Sequence, residues 1–293
     1  MIEQFLNYLR YERYKSPLTV QGYGDDLRAF ESYIKTVDVD NTLESADADL
    51  IRSWMEQMMD KGNKASSVGR RLSALKTFYR FALSRGYIKK DPARMVIAPK
   101  REKPLPQFLK EKEVDSLLDM KEEDSESFKS LRAHTIIMVF YETGIRLSEL
   151  VGLDDSSIDL NIQQLQVTGK RNKQRIVPFG NELAETLTKY IEVRNKSVVR
   201  KDKALFVTVK GIRMKAAQVR YEVKKEISLV SSLKKRTPHV LRHTFATAML
   251  NHGAGIESIK KLLGHESVST TEVYTHTTFE QLKRVYKQAH PRA

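Results

Sequence analysis

The stretch TPHVLRHTFATAML, residues Thr237 to Leu250, has the apolar spacing of a helix packed against a core. Val240, Leu241, Phe245, Ala248 and Met249 recur in steps that put them on one helical face, and Thr237-Pro238 supplies an N-cap and a proline tolerated in the first turn. Into this helix the chain places His239, Arg242 and His243. Unpaired positive charge at the edge of a core is costly, so the segment requires either an acidic protein partner or an anionic ligand.

The rest of the chain favours the ligand. Its 293 residues are enough for two domains, and 51 Lys+Arg against 37 Asp+Glu give a net charge of +14, which points to a polyanion such as nucleic acid or to an anionic membrane surface. No apolar run approaches the roughly 18 residues of a spanning helix. The start, MIEQFLNYLR, carries charges where a signal peptide would be apolar, so the expected location is cytoplasmic with no membrane partner. The absence of cysteine excludes disulfides, thiolate zinc sites and a cysteine nucleophile. Charge is unevenly placed: residues 194–236 hold 14 Lys+Arg against three acidic residues, whereas 111–126 hold eight acidic residues against Lys112 and Lys121.

The first hundred residues read as four helices. Ile2, Phe5, Leu6 and Leu9 mark the first, Ser16-Pro17 opens a second through Tyr23, Leu27, Phe30 and Ile34, and Leu50, Ile51, Trp54 and Met58 mark a third. The fourth runs from about Ser66 to Arg85, stopped by Gly86, with Arg70, Arg71, Lys76 and Arg80 off its apolar stripe. APKREKPLPQFL, with three prolines, reads as a linker over 98–109, dividing a helical domain (1–97) from a second domain (110–293). The second domain is also mostly helical, with a β-hairpin over Gln163 to Phe179 that turns at Gly169 to Asn172, and a further strand at Ala204 to Val209. The expected class is therefore mainly α: an all-helical N-terminal domain followed by an α+β domain with a small antiparallel sheet.

Five of the seven histidines fall between His239 and His276. His239 and His243 have zinc-ligand spacing, but the metalloprotease pattern needs Glu where Val240 stands and no third ligand is near, so no metal is expected. YETGIRLSEL places Arg146 just past a glycine, the hairpin turn presents Lys170, and KLLGHESVSTTEVYTH carries His265 and Tyr274. Arg146, Lys170, His239, Arg242, His265 and Tyr274 follow one another at spacings of 24, 69, 3, 23 and 9.

In TGIRLSEL, HVLRHTFAT, LLGH and VYTH the chain resembles the tyrosine recombinase (phage integrase) family, and within it the Xer-like recombinases that resolve chromosome dimers. The resemblance spans nearly the whole chain. It implies a core-binding domain followed by a catalytic domain, a site formed by those six residues, and Glu149 and His243 as supports. The family's hairpin turn has a second glycine where GKRNKQR has Arg171, which leaves Lys170 and Lys173 as candidates, with Lys170 in the expected place. Expected DNA contacts are Thr19, Arg71, Lys76 and Arg80 in the first domain and Lys173, Arg175, Arg213, Lys215 and Arg220 in the second.

The chemistry fits these residue types. Attack on a phosphodiester builds charge on the non-bridging oxygens, onto which the guanidiniums of Arg146 and Arg242 can fork. Tyr274, with an ordinary pKa of about 10, needs its proton removed, which His239 can assist while His265 bonds the phosphate. The leaving 5′ oxygen needs a proton, for which Lys170 is the candidate acid. A phosphotyrosine bond conserves the energy of the broken linkage, so neither ATP, metal nor another cofactor is required.

The resemblance further implies double-stranded DNA with paired half-sites, a homo- or hetero-tetramer on it, and a DNA translocase as a possible activator. The alternatives are an integrase of a phage or conjugative transposon, a relaxing topoisomerase, and a DNA-binding regulator without catalysis. After the tyrosine, Phe279, Leu282, Val285 and Ala289 have helical spacing, and the resemblance suggests that this tail docks on a neighbouring subunit rather than on its own domain.

Overall fold

Capping residues and glycines set the helix limits. The computed structural model describes residues 1–100, 107–119, 127–169, 172–264 and 276–292, with 276–280 described by backbone alone. The chain divides into two units, Met1–Pro104 and Leu105–Ala293, each with its own core.

The first unit holds α1 (Ile2–Asn7), extended by a π-helical turn over Tyr8–Glu12, then α2 (Pro17–Val37), α3 (Ala48–Asp60) and α4 (Ala65–Ser84). Ser16 starts α2 by accepting a hydrogen bond from the Thr19 N–H, with Pro17 in the first turn, and Asp47 caps α3 at Leu50. Phe5, Leu27, Phe30, Ile34, Trp54, Leu72 and Phe78 form the core, and the buried Tyr79 hydroxyl donates to the Leu43 carbonyl at 3.0 Å.

The second unit is built around α6 (Phe128–Thr143), which is buried along almost all of its length and on every side. Around it stand α5 (Glu111–Leu118), α7 (Leu147–Val151), α8 (Asn181–Ser197), α9 (Ala216–Val230), α10 (Pro238–Asn251), α11 (Ile256–Leu263) and α12 (His276–Ala289). A three-stranded antiparallel sheet runs β1 (Ile158–Asp159), β2 (Gln164–Thr168), β3 (Gln174–Pro178) in order, with Val167 opposite Arg175 and Leu165 opposite Val177. The molecule is thus mainly α with one small sheet.

Two expectations need correction. Ala204 to Val207 are buried, but they form no named strand and make only the isolated bridges Asp154–Ala204 and Val207–Arg213. The carbonyls of Leu205 and Val207 are taken by side chains: Tyr190 and Arg194 donate to Leu205 and Arg132 donates to Val207. The tail helix, expected on a neighbouring subunit, folds onto its own unit, burying Leu282, Tyr286 and Ala289 among Phe245, Met249, Ile259, Leu262 and Leu263. His290 stacks on Tyr286 with centroids 4.9 Å apart, and Arg292 pairs with Glu182.

Tyr286 also donates to Oε2 of Glu142 at 3.1 Å, and the Gly180 N–H donates to the same oxygen at 3.0 Å. Burial pushes the Glu142 carboxyl up to about 8 from its ordinary value of 4.5, outweighing those two bonds. A raised carboxyl pKa contributes stability that is complete below 4.5 and is lost as pH rises through 8. Glu142→Gln, which cannot ionise, is therefore expected to gain thermal stability relative to the unaltered chain as pH rises from 5 towards 8, measured by Tm at each pH. A constant difference would show that Glu142 does not titrate in this range.

Candidate active site

Two helices in the second unit end in left-handed glycines, and both ends point into one centre. Gly144 closes α6 with φ +58° and Gly264 closes α11 with φ +63°. The last carbonyls of a helix lack intrahelical donors and carry the negative end of its dipole, so they attract cations. Arg242 donates through Nη1 to the Gly144 carbonyl and through Nη2 to Leu263 at 2.8 Å. Arg146, the N-cap of α7, donates through Nη2 to the Gly264 carbonyl at 2.9 Å. The adjacent carbonyls of Leu263 and Gly264 therefore hold two guanidiniums side by side.

Glu149, 2% exposed, anchors Arg146 of this pair together with Arg175. Its Oε1 accepts from Arg146 Nη1 at 2.9 Å and from Arg175 Nη1 at 2.7 Å, while Oε2 accepts from the Arg146 N–H at 2.7 Å and from Arg175 Nη2 at 2.9 Å. Burial works to raise this carboxyl, but the hydrogen bonds and charge of Arg175, with the two bonds from Arg146, hold it below the usual carboxylate value. Arg242 moves the other way. Burial, reinforced by the charges of Arg146 and Arg175 and only partly offset by Glu149, lowers it to about 10. It remains a cation at neutral pH, but one whose charge an anion would stabilise.

His239 stands exposed on α10, and partial desolvation of its ring together with the charges of His243, Arg242, Arg220 and Arg146 lowers its pKa. The imidazole is thereby kept neutral and able to accept a proton. His243 is also exposed on α10. Lys170, His265 and Tyr274 lie outside the described residues.

The expected DNA contacts separate into two groups. Arg80, Lys173, Lys215 and Arg220 are exposed. Thr19 and Lys76 are half-buried; the Thr19 hydroxyl shares a 2.8 Å hydrogen bond with Ser16, and Lys76 donates to the Arg94 carbonyl at 3.5 Å. Arg71, 30% exposed, leans on the buried Asp26 at 3.7 Å and places Nη1 against the Met58 sulfur.

Two of these assignments are corrected. Arg175 lies on the inward face of β3 with Val177, 7% exposed, and its nitrogens bond Glu149 and the Leu262 carbonyl. Arg213 donates to the carbonyls of Val151 and Leu153 and to Asp202. Both guanidiniums are occupied within the fold. The period-two alternation of Arg175, Val177 and Phe179 was the signal for the first. Arg194 and Arg200, counted in the basic run, are likewise held by Asp155. The roles of Gly144 and Gly264, whose carbonyls accept from Arg242 and Arg146, had no sequence signal beyond their position at helix ends.

Comparison with known proteins adds the following. Residues 107–281 match the phage integrase family, and residues 2–86 match the phage integrase N-terminal SAM-like domain. The chain is 37% identical to tyrosine recombinase XerC of Chlorobaculum parvum, covering 100% of this chain and 94% of that protein. It is 34% identical to tyrosine recombinase XerD of Staphylococcus epidermidis, covering 100% and 99%. In fold it is similar to XerH site-specific recombinase bound to a palindromic difH substrate (TM-score 0.73, 20% identity, 97% of this chain and 83% of that one). It is also similar to a lambda integrase dimer bound to a COC′ core site (TM-score 0.71, 18% identity, 93% and 97%).

Gly144 admits a direct test. A Cβ there would lie 2.6 Å from Phe245 Cδ1 and 2.7 Å from Leu263 Cδ2, at a φ that disfavours any side chain. Left-handed backbone and overpacking together cost about 3 kcal/mol, so Gly144→Ala is expected to lower Tm by about 6–12 °C and to disturb the carbonyl that holds Arg242. An unchanged Tm would mean that the α6 end is not built this way.

Proposed function

Since the chain belongs to the phage integrase family and is a Xer-like tyrosine recombinase, we propose that it performs site-specific recombination by cutting and rejoining double-stranded DNA through a 3′-phosphotyrosine. The observation that carries this reading is the Arg146–Arg242 pair, held on adjacent helix-end carbonyls above one buried carboxylate. Three arginines against Glu149 leave net positive charge in a partly buried setting, and each guanidinium of the pair has further N–H donors for phosphate oxygens. The scissile phosphate is the anion that the helix of residues 237–250 calls for.

In this reading the Tyr274 oxygen attacks phosphorus as its phenol proton passes to His239. The P–O5′ bond breaks, and Lys170 protonates the leaving oxygen. Arg146 and Arg242 neutralise the charge that builds on the non-bridging oxygens. His265 adds a hydrogen bond to the phosphate, and His243 supports the α10 end of the site. A 5′-hydroxyl from a second strand then reverses the steps with the new partner, restoring the tyrosine without ATP.

We assign residues 1–97 as the core-binding domain, 98–109 as linker and 110–293 as the catalytic domain. DNA contact is drawn from the exposed Arg80, Lys173, Lys215 and Arg220. Thr19, Arg71 and Lys76 join them where their inward bonds allow. Two paired sites, each of two half-sites, seat four recombinase subunits, of one kind or of two, and a DNA translocase is the candidate activator. Among the described residues no helix is long and apolar enough to cross a membrane, and chromosomal DNA as substrate favours a cytoplasmic location. Resolution of chromosome dimers is the role that the XerC and XerD relatives make most natural.

Tyr274→Phe is expected to bind DNA as the unaltered chain does and to form no adduct that survives denaturation, because only the attacking oxygen is lost. Such an adduct from the variant would remove Tyr274 as nucleophile. Lys170→Ala is expected to cleave ordinary DNA at least about a hundredfold more slowly and to recover when the bridging 5′ oxygen is replaced by sulfur, which departs without a proton. Recovery by Lys173→Ala instead would move the acid to Lys173.

A further inference from the structure

Arg175 has no role in the chemistry just described, yet it makes more bonds into the arginine centre than any contact with DNA would leave room for. Its two terminal nitrogens grip both oxygens of Glu149, and its Nε donates to the Leu262 carbonyl at 3.0 Å. A Cβ on Gly264 would lie 3.1–3.2 Å from its guanidinium and Cδ, so the chain can pass over it only as glycine or after a shift. One side chain therefore joins three elements: strand β3 of the hairpin that carries the catalytic lysine candidates, the end of α11, and the carboxylate that orients Arg146.

We propose that Arg175 is a positioning residue for strand cleavage: through Glu149 it fixes the direction of Arg146, and through Leu262 it locks the hairpin strand to the helix end that holds the Arg146–Arg242 pair. The proposal rests on the recombinase reading above. Geometry separates it from the DNA-contact role expected from sequence. Arg175 faces inward opposite Val167, whereas its neighbours Gln174 and Ile176 face outward.

A residue that only braced the fold would lower stability and leave the pH dependence of cleavage alone. Arg175 does more, because it helps keep Glu149 ionised. The charged groups facing that carboxylate are Arg146 from the start of its own helix, Arg175 from β3 and Arg242 from α10. Without Arg175, burial acts on Glu149 against fewer compensating bonds, so its pKa rises. Once protonated, Glu149 no longer pairs with Arg146, and cleavage falls as pH falls. In the unaltered chain this loss lies at pH values below the carboxylate range.

The test follows covalent adduct formation on a nicked duplex carrying the site that this chain selects from a random-sequence duplex library, between pH 5.5 and 8.5. Relative to the unaltered chain, Arg175→Met should lose about tenfold in rate for each pH unit below the new Glu149 pKa. The double variant Arg175→Met, Glu149→Gln should lose this extra pH dependence, because the titrating group is gone. Arg175→Lys keeps the charge without the fork, so a weaker loss in the same direction is expected, and it replaces Arg175→Met should that variant not fold.

In a second arm without DNA, the Tm difference between the unaltered chain and Arg175→Met should shrink from pH 8 to pH 5 as the stranded carboxylate takes up its proton. A rate loss of constant factor at all pH values would overturn the proposal. So would weaker DNA binding with a smaller salt slope in Arg175→Met, which would make it a phosphate contact. If the unaltered chain forms no adduct at any pH, the recombinase reading falls and this proposal with it; an adduct whose pH profile is unmoved by Arg175→Met sinks the proposal alone.

Discussion

A buried carboxylate, that of Glu149, decides whether two guanidiniums can stand beside each other in this fold. Like charges at close range repel, and each also loses solvation on burial. Glu149 offsets both effects for Arg146 and Arg175, and the carbonyls at the ends of α6 and α11 offset them for Arg242 and, in part, Arg146. The compensation is incomplete, as the lowered pKa of Arg242 shows. A centre left short of negative charge is what an incoming phosphate completes, so the binding energy of substrate is directed at the atoms that react.

Much of this was legible in the sequence, for a physical reason. Helix ends, caps and apolar stripes are local, and the residues that make them announce themselves: Ser16-Pro17 opens α2, Gly144 closes α6 and Thr237-Pro238 opens α10. Arg146 and Glu149 also lie within one turn, so their pairing could be read, and the pairing proves compatible with a role for Arg146 because the guanidinium keeps donors beyond those Glu149 uses. The division of basic residues could not be read the same way. Whether an arginine meets DNA or an internal carboxylate depends on partners far along the chain, as with Arg213 and the carbonyl of Val151, or Arg194 and Asp155.

The same distinction accounts for the strand that did not form and for the tail. Ala204 to Val207 have strand composition, but the donors to the Leu205 and Val207 carbonyls are the side chains of Tyr190, Arg194 and Arg132 on other elements. The tail's apolar spacing requires a hydrophobic partner without naming it. In this structure the partner is the exit side of the chain's own α10 and α11, with Glu142 and Tyr286 as a polar clasp inside the contact.

The Arg146 guanidinium reaches a carbonyl 118 residues further along, and Arg242 reaches back 98 residues to Gly144. A ribosome delivers these partners in order, and contacts so distant in sequence form late. Until α11 has emerged and folded, a growing polypeptide has Arg146, Glu149 and then Arg242, but not the carbonyls of Leu263 and Gly264 that hold the two guanidiniums side by side. DNA-breaking activity is therefore withheld from any product of translation interrupted before α11, and assembly of the centre doubles as a check that synthesis has passed that helix.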